Sequence, residues 1–310
     1  MPCRKTSIGG QALIEGIMMR GPKKTAMAVR DPKKQIVLEE CETKGAERAA
    51  FFKLPIIRGI FNMIDSLSSG YRYLMRSAEI SGLDEEEERK KKERGPRWYD
   101  GVVDKLLMPI ATVLAVALAV VLFFWLPMQL WNWISLAAPA IAEKYLLRAI
   151  FEGLFRIGIF IAYVWATSKM KDIRRTYMYH GAEPQTIFCY EAGLPLTVEN
   201  IRPQKRFHPR CGTSFMILVL LVSIVFSMFI RIDTVWLRML VKLPMIPLIV
   251  GVGYELIKLA GRKDNWLTRI ISAPGVALQH LTVFEPDDEM IECAIAAMEK
   301  VIPEDGSDTW

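Results

Sequence analysis

The feature that most constrains this chain is a long uncharged stretch. No Asp, Glu, Lys or Arg occurs from Leu106 to Ala142, a run of 37 residues. A helix needs roughly 20 apolar residues to cross the hydrocarbon core of a bilayer, so the run predicts one span from Leu106 to about Trp131. Trp125 and Trp133 near its far end are typical of an interfacial aromatic belt. The chain is therefore predicted to be an integral membrane protein.

Three further apolar segments are predicted spans, although two of them contain charged residues. Basic segments at 89–94, 169–175, 202–210 and 258–269 alternate with short loops that hold fewer basic residues. Four spans with both termini in the cytoplasm satisfy the positive-inside rule, whereas two spans would leave the basic segment 169–210 outside. The three segments are Gly212–Ile230, Ala149–Ser168 with Glu152 and Arg156, and Val241–Leu259 with Lys242, Glu255 and Lys258.

Glu152 and Arg156 are one helical turn apart inside the second predicted span. Charges in a membrane segment are costly and usually functional, so the two can line a polar cavity as an intramembrane pair. The alternative is an ordinary ion pair between residues i and i+4 near the outer interface. The spacing alone leaves both interpretations open.

Composition limits the remaining classes of protein. Hydrophobic residues make up 52% of the 310 residues and charged residues 24%, with a mean hydropathy of +0.21. Apolar blocks must therefore alternate with polar ones, which excludes a disordered chain, a collagen and a coiled coil. The net charge of +6 is too small to indicate a nucleic-acid binder, and no DNA partner is expected. The five Cys residues show no paired spacing and lie on the predicted cytosolic side, so no disulfide is expected.

The sequence predicts an α-helical polytopic membrane protein, in the bacterial cytoplasmic membrane, with a small mixed α+β cytosolic portion. The N-terminal region, the central loop and the C-terminal tail form that portion. Residues 25–41 indicate two short strands around a turn, and a helix in the tail is expected to dock on the N-terminal region. The predicted parts are a glycine-rich N-terminal region (1–54), an amphipathic helix (55–82) that lies in the membrane interface or packs on the cytosolic portion, a charged linker (83–104), a membrane domain (105–259) with the cytosolic loop 169–212, and a tail (260–310).

One segment, between the second and third predicted spans, carries residues suited to chemistry. His180 and Glu183 are three residues apart, and so are His208 and Cys211. This spacing lets both side chains of each pair reach one ion, and His, Cys and carboxylate ligands suit Zn or Fe. The alternative is that these are turn, cap and interface residues. Cys211 as a nucleophile with a His base is a further option, although the sequence shows no group that would orient the His.

Four motifs together resemble the DUF1385 (YqhQ-like) family of bacterial integral membrane proteins. The resemblance implies a multi-pass membrane protein that is labelled a metal-dependent enzyme without a settled reaction. This sequence departs from the family pattern His-Gly-Ala-Glu-His-Lys, because Pro184 and Gln185 follow Glu183. Either a metal is held without that His, or this member has lost the site, or the motif never bound metal. The motifs lie at residues 9–22, 180–183, 208–215 and 279–289.

Two functional hypotheses follow. The first is a metal-dependent hydrolase at the cytosolic face, in which the two spaced pairs hold a divalent metal. In it Glu15 is the general base, and Arg20 and Arg210 bind the anionic group of a lipid or phosphate-bearing substrate. The second is a non-catalytic, membrane-anchored interaction or assembly factor. Its basic surface would bind a cytosolic protein, ribosomal RNA or anionic lipid through Arg174, Arg175, Lys205 and Arg206.

Overall fold

The computed structural model describes residues 5–43, 50–83, 100–141, 143–209, 211–262 and 265–309. The fold is mostly helical with one small sheet, as the sequence predicts. Most of the predicted charged linker lies outside the described residues, and the next helix begins within that linker, at Asp100. The helices are α1 (Ile57–Ile80), α2 (Asp100–Val120), α3 (Leu126–Ala137), α4 (Tyr145–Thr167), α5 (Lys171–Glu191), α6 (Val198–Ile201), α7 (Gly212–Ser227), α8 (Val235–Lys242), α9 (Ile246–Arg262), α10 (Trp266–Thr282) and α11 (Asp288–Val301).

The sheet is an antiparallel meander of four strands in sequence order. The two strands predicted within residues 25–41 are confirmed, and the glycine-rich segment before them forms the first hairpin. Leu13 pairs with Gly16 across a two-residue turn. Glu15 in that turn has a φ of 51°, in the left-handed region. The strands are β1 (Gly9–Leu13), β2 (Gly16–Arg20), β3 (Lys24–Arg30) and β4 (Ile36–Glu42).

Helices cover both faces of this sheet. On one face β1 and β2 pack against α5, and β2 and β3 pack against α11, which confirms that the C-terminal helix docks on the N-terminal region. The Asp287 carboxylate caps α11 by accepting a hydrogen bond from the Met290 N–H. On the other face, Leu13 and Met27 lie in a second core beneath Tyr73 of α1. Strand β3 is therefore buried along nearly its whole length rather than at alternate residues.

Helix α1 connects the sheet with the apolar helices. Gly59 lies against Tyr254 of α9, where an added Cβ would be 2.7 Å from the Tyr254 Cβ. Farther along α1, Tyr73 packs on the sheet. The apolar side chains of Leu67 and Tyr71 remain exposed, at 66% and 64%. Packing on the sheet thus accounts for part of this amphipathic helix, and its placement in the membrane interface stays a prediction.

Two segments are long and apolar enough to cross a membrane. They are Pro109–Ala137, which includes a π-helical turn between α2 and α3, and Tyr145–Thr167. A third is possible if α8 and α9, bent by 50°, form one span. Helix α7 has only 16 residues, fewer than the roughly 20 that a span needs. Two or three spans are thus compatible with the described residues, and the four predicted from the sequence are not confirmed.

Candidate functional site

Much of the predicted cytosolic loop 169–212 is helix α5, which contains His180 and Glu183, whereas His208 and Cys211 lie in the segment before α7. His180 lies in the middle of α5, Cys211 immediately precedes α7, and Thr282 ends α10. The His180 Nε2 atom is 2.9 Å from the Cys211 Sγ atom, and the Nδ1 atom is 2.9 Å from the Thr282 carbonyl oxygen. Because a carbonyl oxygen only accepts, Nδ1 carries the proton and donates it to Thr282. The backbone of α10 thereby orients the imidazole toward the sulfur.

The two side chains favour each other's charged forms. Burial by itself would lower the pKa of His180, but the adjacent Cys211 and the Glu183 carboxylate raise that pKa to about 9. Burial would likewise raise the pKa of Cys211, yet His180 and the Thr213 hydroxyl, 3.3 Å from the sulfur, lower it overall. The position of Cys211 at the start of α7 acts in the same direction, because a helix N-terminus stabilises a thiolate. A thiolate–imidazolium pair is therefore favoured.

The pair is not sealed inside the protein. Both His180 and Cys211 are partly exposed, and Gly212 beside them is exposed. A Cβ added at Gly212 would meet no atom within 4 Å. Among the described residues, open space therefore adjoins Gly212, the residue after Cys211, at the start of α7.

The rest of the His180–Glu183 motif holds α5 against its neighbours. Gly181 permits close approach of the chain at Phe284, and Ala182 is fully buried in the core. The Glu183 Oε1 atom accepts a hydrogen bond of 3.0 Å from the Gly10 N–H on β1. The motif thus joins the sheet, α5 and the segment after α10 around the Cys211–His180 pair.

His208, three residues before Cys211, is held by Gln279 of α10. Its N–H donates to the Gln279 Oε1 atom at 2.9 Å, and the Gln279 amide donates to the His208 carbonyl at 2.7 Å and to the Ser214 hydroxyl at 2.9 Å. The His208 ring packs on Phe188, with centroids 4.9 Å apart. Gln279, fully buried on α10, therefore fixes the segment on both sides of Cys211. Sequence reasoning assigned no such role to Gln279 or to Thr282.

The structure tests whether the predicted ligands fit a metal ion. Only His180 and Cys211 of the four form a direct contact, while Glu183 bonds to the sheet and His208 packs on Phe188. No group of three or more His, Cys, Asp or Glu side chains in the described part of the chain is arranged to hold a metal. Two tetrahedral zinc ligands with bonds of about 2.3 and 2.0 Å would lie about 3.5 Å apart, farther than the observed 2.9 Å. This arrangement does not support the predicted Zn or Fe site.

The remaining predicted site residues lie elsewhere. The Glu15 carboxylate accepts hydrogen bonds from Arg175 and, at 3.4 Å, from the Tyr179 hydroxyl, so Glu15 links the first hairpin to α5. Arg20 is the last residue of β2, opposite Gly9 of β1 and Thr25 of β3. Arg210 lies outside the described residues.

Much of the predicted basic surface is already engaged within the molecule. The Arg174 guanidinium lies 4.4 Å from the centre of the Phe284 ring. Arg175 pairs with Glu15, and Arg206 pairs with Glu285 at 3.0 Å. Three of the four basic side chains thus have intramolecular partners.

Comparisons with known proteins give a family without an assigned activity. The family model described as "Protein of unknown function (DUF1385)" matches residues 54–304. The chain is also similar to "Uncharacterized protein YqhQ" from Bacillus subtilis (strain 168), with 31% identity over 296 residues, which is 95% of this chain and 92% of that protein. No solved structure matches the chain.

Proposed function

This chain belongs to the DUF1385 family, and we propose that it is a membrane-associated acyl hydrolase in which Cys211 is the nucleophile. The observation that carries the proposal is the 2.9 Å contact between the Cys211 sulfur and the His180 Nε2 atom, with Nδ1 bonded to the Thr282 carbonyl. A nucleophile, a base and a group that orients the base are the parts that covalent catalysis requires.

The arrangement suits attack on an ester or thioester. The Cys211 thiolate adds to the acyl carbon, and the His180 imidazolium gives its proton to the leaving alcohol or thiol as the bond to the acyl group breaks. Water then hydrolyses the acyl-thioester, with neutral His180 accepting the proton of the water. The Ser214 and Phe215 N–H groups donate to the Cys211 carbonyl. The two N–H groups before them, of Gly212 and Thr213 at the start of α7, are suitable donors to the oxyanion.

The position of the pair suggests an apolar substrate. Cys211 leads directly into α7, an apolar helix, and Met216 on that helix is 52% exposed. The sheet lies on the side of α5, which packs against β1 and β2. An acyl chain on the apolar helices with its carbonyl at the sulfur is consistent with this placement, so a lipid-like or acyl-thioester substrate is the proposed class.

The non-catalytic alternative has weaker support. It depends on basic side chains that are free to bind a partner, but Arg174, Arg175 and Arg206 have the intramolecular contacts described above. Reversing the charge of Arg175 or Arg206 would break an internal ion pair as well as any external contact. Such variants therefore do not isolate partner binding in this chain.

The proposal is tested by trapping an acyl-enzyme. Purified full-length protein is mixed with p-nitrophenyl butyrate, and adducts are located by mass spectrometry of its peptides. We expect an acyl group on Cys211, none in Cys211→Ala, and a rate of acylation lowered roughly 100-fold or more in His180→Gln. Cys41→Ala is the matched control, because Cys41 is an exposed thiol whose contact is a Tyr73 hydroxyl instead of a His.

Two results would overturn the thiolate mechanism. One is equal acylation of Cys41 and Cys211 with ester hydrolysis that persists in Cys211→Ala. The other is near-stoichiometric Zn or Fe in the wild-type protein that is absent from Cys211→Ala. That second result would instead support the metal-dependent hydrolase predicted from the sequence.

A further inference from the structure

A cluster of buried charges lies in the apolar helices, away from the Cys211–His180 pair. Glu152 of α4 is 1% exposed and faces three cations. The Lys242 Nζ atom lies 2.7 Å from its carboxylate, an Arg238 nitrogen 3.3 Å and an Arg156 nitrogen 3.4 Å. The sequence indicated only the Glu152–Arg156 pair, because Arg238 and Lys242 come from α8.

The charges of this cluster do not balance. Arg148, one turn before Glu152, adds a fourth buried cation and pairs at 3.0 Å with Asp233, which is itself largely exposed. In the part of the chain that the structure describes, these four cations have two carboxylates, Glu152 and Asp233, within ion-pair distance, and Glu143 lines the same cavity as Arg148. At least one positive charge therefore lacks a counter-ion among apolar helices, where an uncompensated charge is costly. An anion from outside the chain would compensate it.

Arg238 shows where such an anion would bind. Its side chain is 1% exposed, and its Nε and both Nη atoms have no hydrogen-bond partner. The contact with Glu152 at 3.3 Å is an ion pair without hydrogen-bond geometry, and the Glu152 Oε1 atom also lacks a hydrogen bond. Buried guanidinium groups almost always have acceptors. The three nitrogen atoms of the Arg238 guanidinium can therefore donate hydrogen bonds to an anion bound beside it.

We infer that this cluster binds a phosphate-bearing anion through Arg238. A phosphate group carries about −1.5 to −2 charges at neutral pH as a monoester and one negative charge as a diester, which is enough to compensate the excess positive charge. A planar guanidinium binds two phosphate oxygens at once. A cavity of about 590 Å³ adjoins the cluster at Arg148, and its lining also includes Ser135 and the acidic residues Glu143 and Asp233. The buried Ser135 hydroxyl also lacks a hydrogen-bond partner.

Two sources can supply this phosphate. One is a free phosphate or phosphorylated solute that enters through the cavity. The other is the headgroup of an anionic phospholipid, which brings one negative charge from the bilayer. In both cases phosphate oxygens accept hydrogen bonds from the guanidinium, and the experiment below distinguishes the two sources. Nothing in this inference depends on the activity proposed for Cys211.

The test uses full-length protein and measures its thermal unfolding. In neutral detergent, sodium phosphate is compared with sodium chloride at equal ionic strength. In lipid nanodiscs, phosphatidylcholine alone is compared with a mixture that contains phosphatidylglycerol. We expect one of the two anions to raise Tm by about 4–8 °C at a 100-fold excess over its Kd. A shift with phosphate identifies the soluble source, and a shift confined to phosphatidylglycerol identifies the lipid.

Variants assign the effect to Arg238. In Arg238→Met the anion-dependent shift disappears, while Tm without the anion stays the same or rises, because an unsatisfied buried cation is gone. Arg231→Met is the matched control: Arg231 is exposed near the same end of the helices, and its loss leaves the shift unchanged. Lys242→Met is the second variant, with the same expected loss of the shift, in case Arg238→Met does not fold.

Two outcomes would overturn the inference. In the first, neither phosphate nor phosphatidylglycerol raises the Tm of the wild-type protein above its chloride or phosphatidylcholine control. In the second, a folded Arg238→Met or Lys242→Met protein keeps the full shift.

Discussion

The main-chain oxygen of Phe284 lies 2.0 Å from the point where a Cβ on Gly181 would be placed. This close approach brings α5 against the segment that leaves α10. Phe284 is two residues after Thr282, whose carbonyl accepts the hydrogen bond from His180. The glycine next to His180 therefore controls how closely the acceptor approaches the imidazole.

Gly181→Ala is expected to lower stability and to disturb the Cys211–His180 pair. The added methyl group collides with backbone, which cannot rotate away, so the cost should be about 1–3 kcal/mol. Tm and the rate of Cys211 alkylation measure the two effects. Gly158→Ala is the control, since a Cβ at Gly158, also within a helix, meets no atom within 4 Å. Equal Tm values for both variants would contradict the close approach.

Alkylation of Cys211 should respond to pH differently from that of an ordinary thiol. The pKa of Cys211 is lowered and that of His180 is raised to about 9, so the thiolate forms below the usual thiol pKa of about 8.5. The rate of reaction with iodoacetamide should rise at correspondingly lower pH. In His180→Gln the burial effect remains without the imidazolium, and the midpoint should move upward. A midpoint that is the same in both proteins would exclude the ion pair.

Glu15→Gln separates a structural role from a catalytic one. Glu15 accepts two hydrogen bonds from a partly exposed Arg175, so the variant should lower the free energy of unfolding by about 0.5–1 kcal/mol. Arg175→Gln should have a similar effect, and the double variant should cost less than the sum. Ester hydrolysis should be largely retained. Loss of hydrolysis with an unchanged Tm would instead support the general-base role predicted from the sequence.

Gln279→Leu should destabilise the chain on both sides of Cys211. The buried Gln279 amide makes three hydrogen bonds, two of them to the main chain of His208. Its loss leaves buried polar groups unsatisfied, at about 1–3 kcal/mol. Ser214→Ala removes only one acceptor and should lower the stability less than Gln279→Leu. The Tm values of the two variants measure this difference. A larger loss of Tm in Ser214→Ala than in Gln279→Leu would contradict this account.

Local sequence patterns predicted many elements but not their mutual arrangement. The strands within residues 25–41, the long helix α1 and the C-terminal helix were predicted because hydrophobic periodicity and capping residues act over a few neighbours. The length of the predicted span Gly212–Ile230 was overestimated. Its helix, α7, ends at Ser227, and an uncharged run of residues does not reveal where a helix ends. Glu152 was paired only with Arg156, because its other cations are more than 80 residues away in sequence.

The sequence alone determined that this protein is mostly helical and belongs to the DUF1385 family. Composition and periodicity depend on local forces, and the four motifs carry the family resemblance. Only the tertiary structure decided which residues meet. It placed His180 between Cys211 and Thr282, turned Glu183 and His208 to other partners, and gathered three cations around Glu152. The physical reason is that hydrogen bonds and ion pairs act over a few ångströms in space, and folding brings together atoms that the chain keeps far apart.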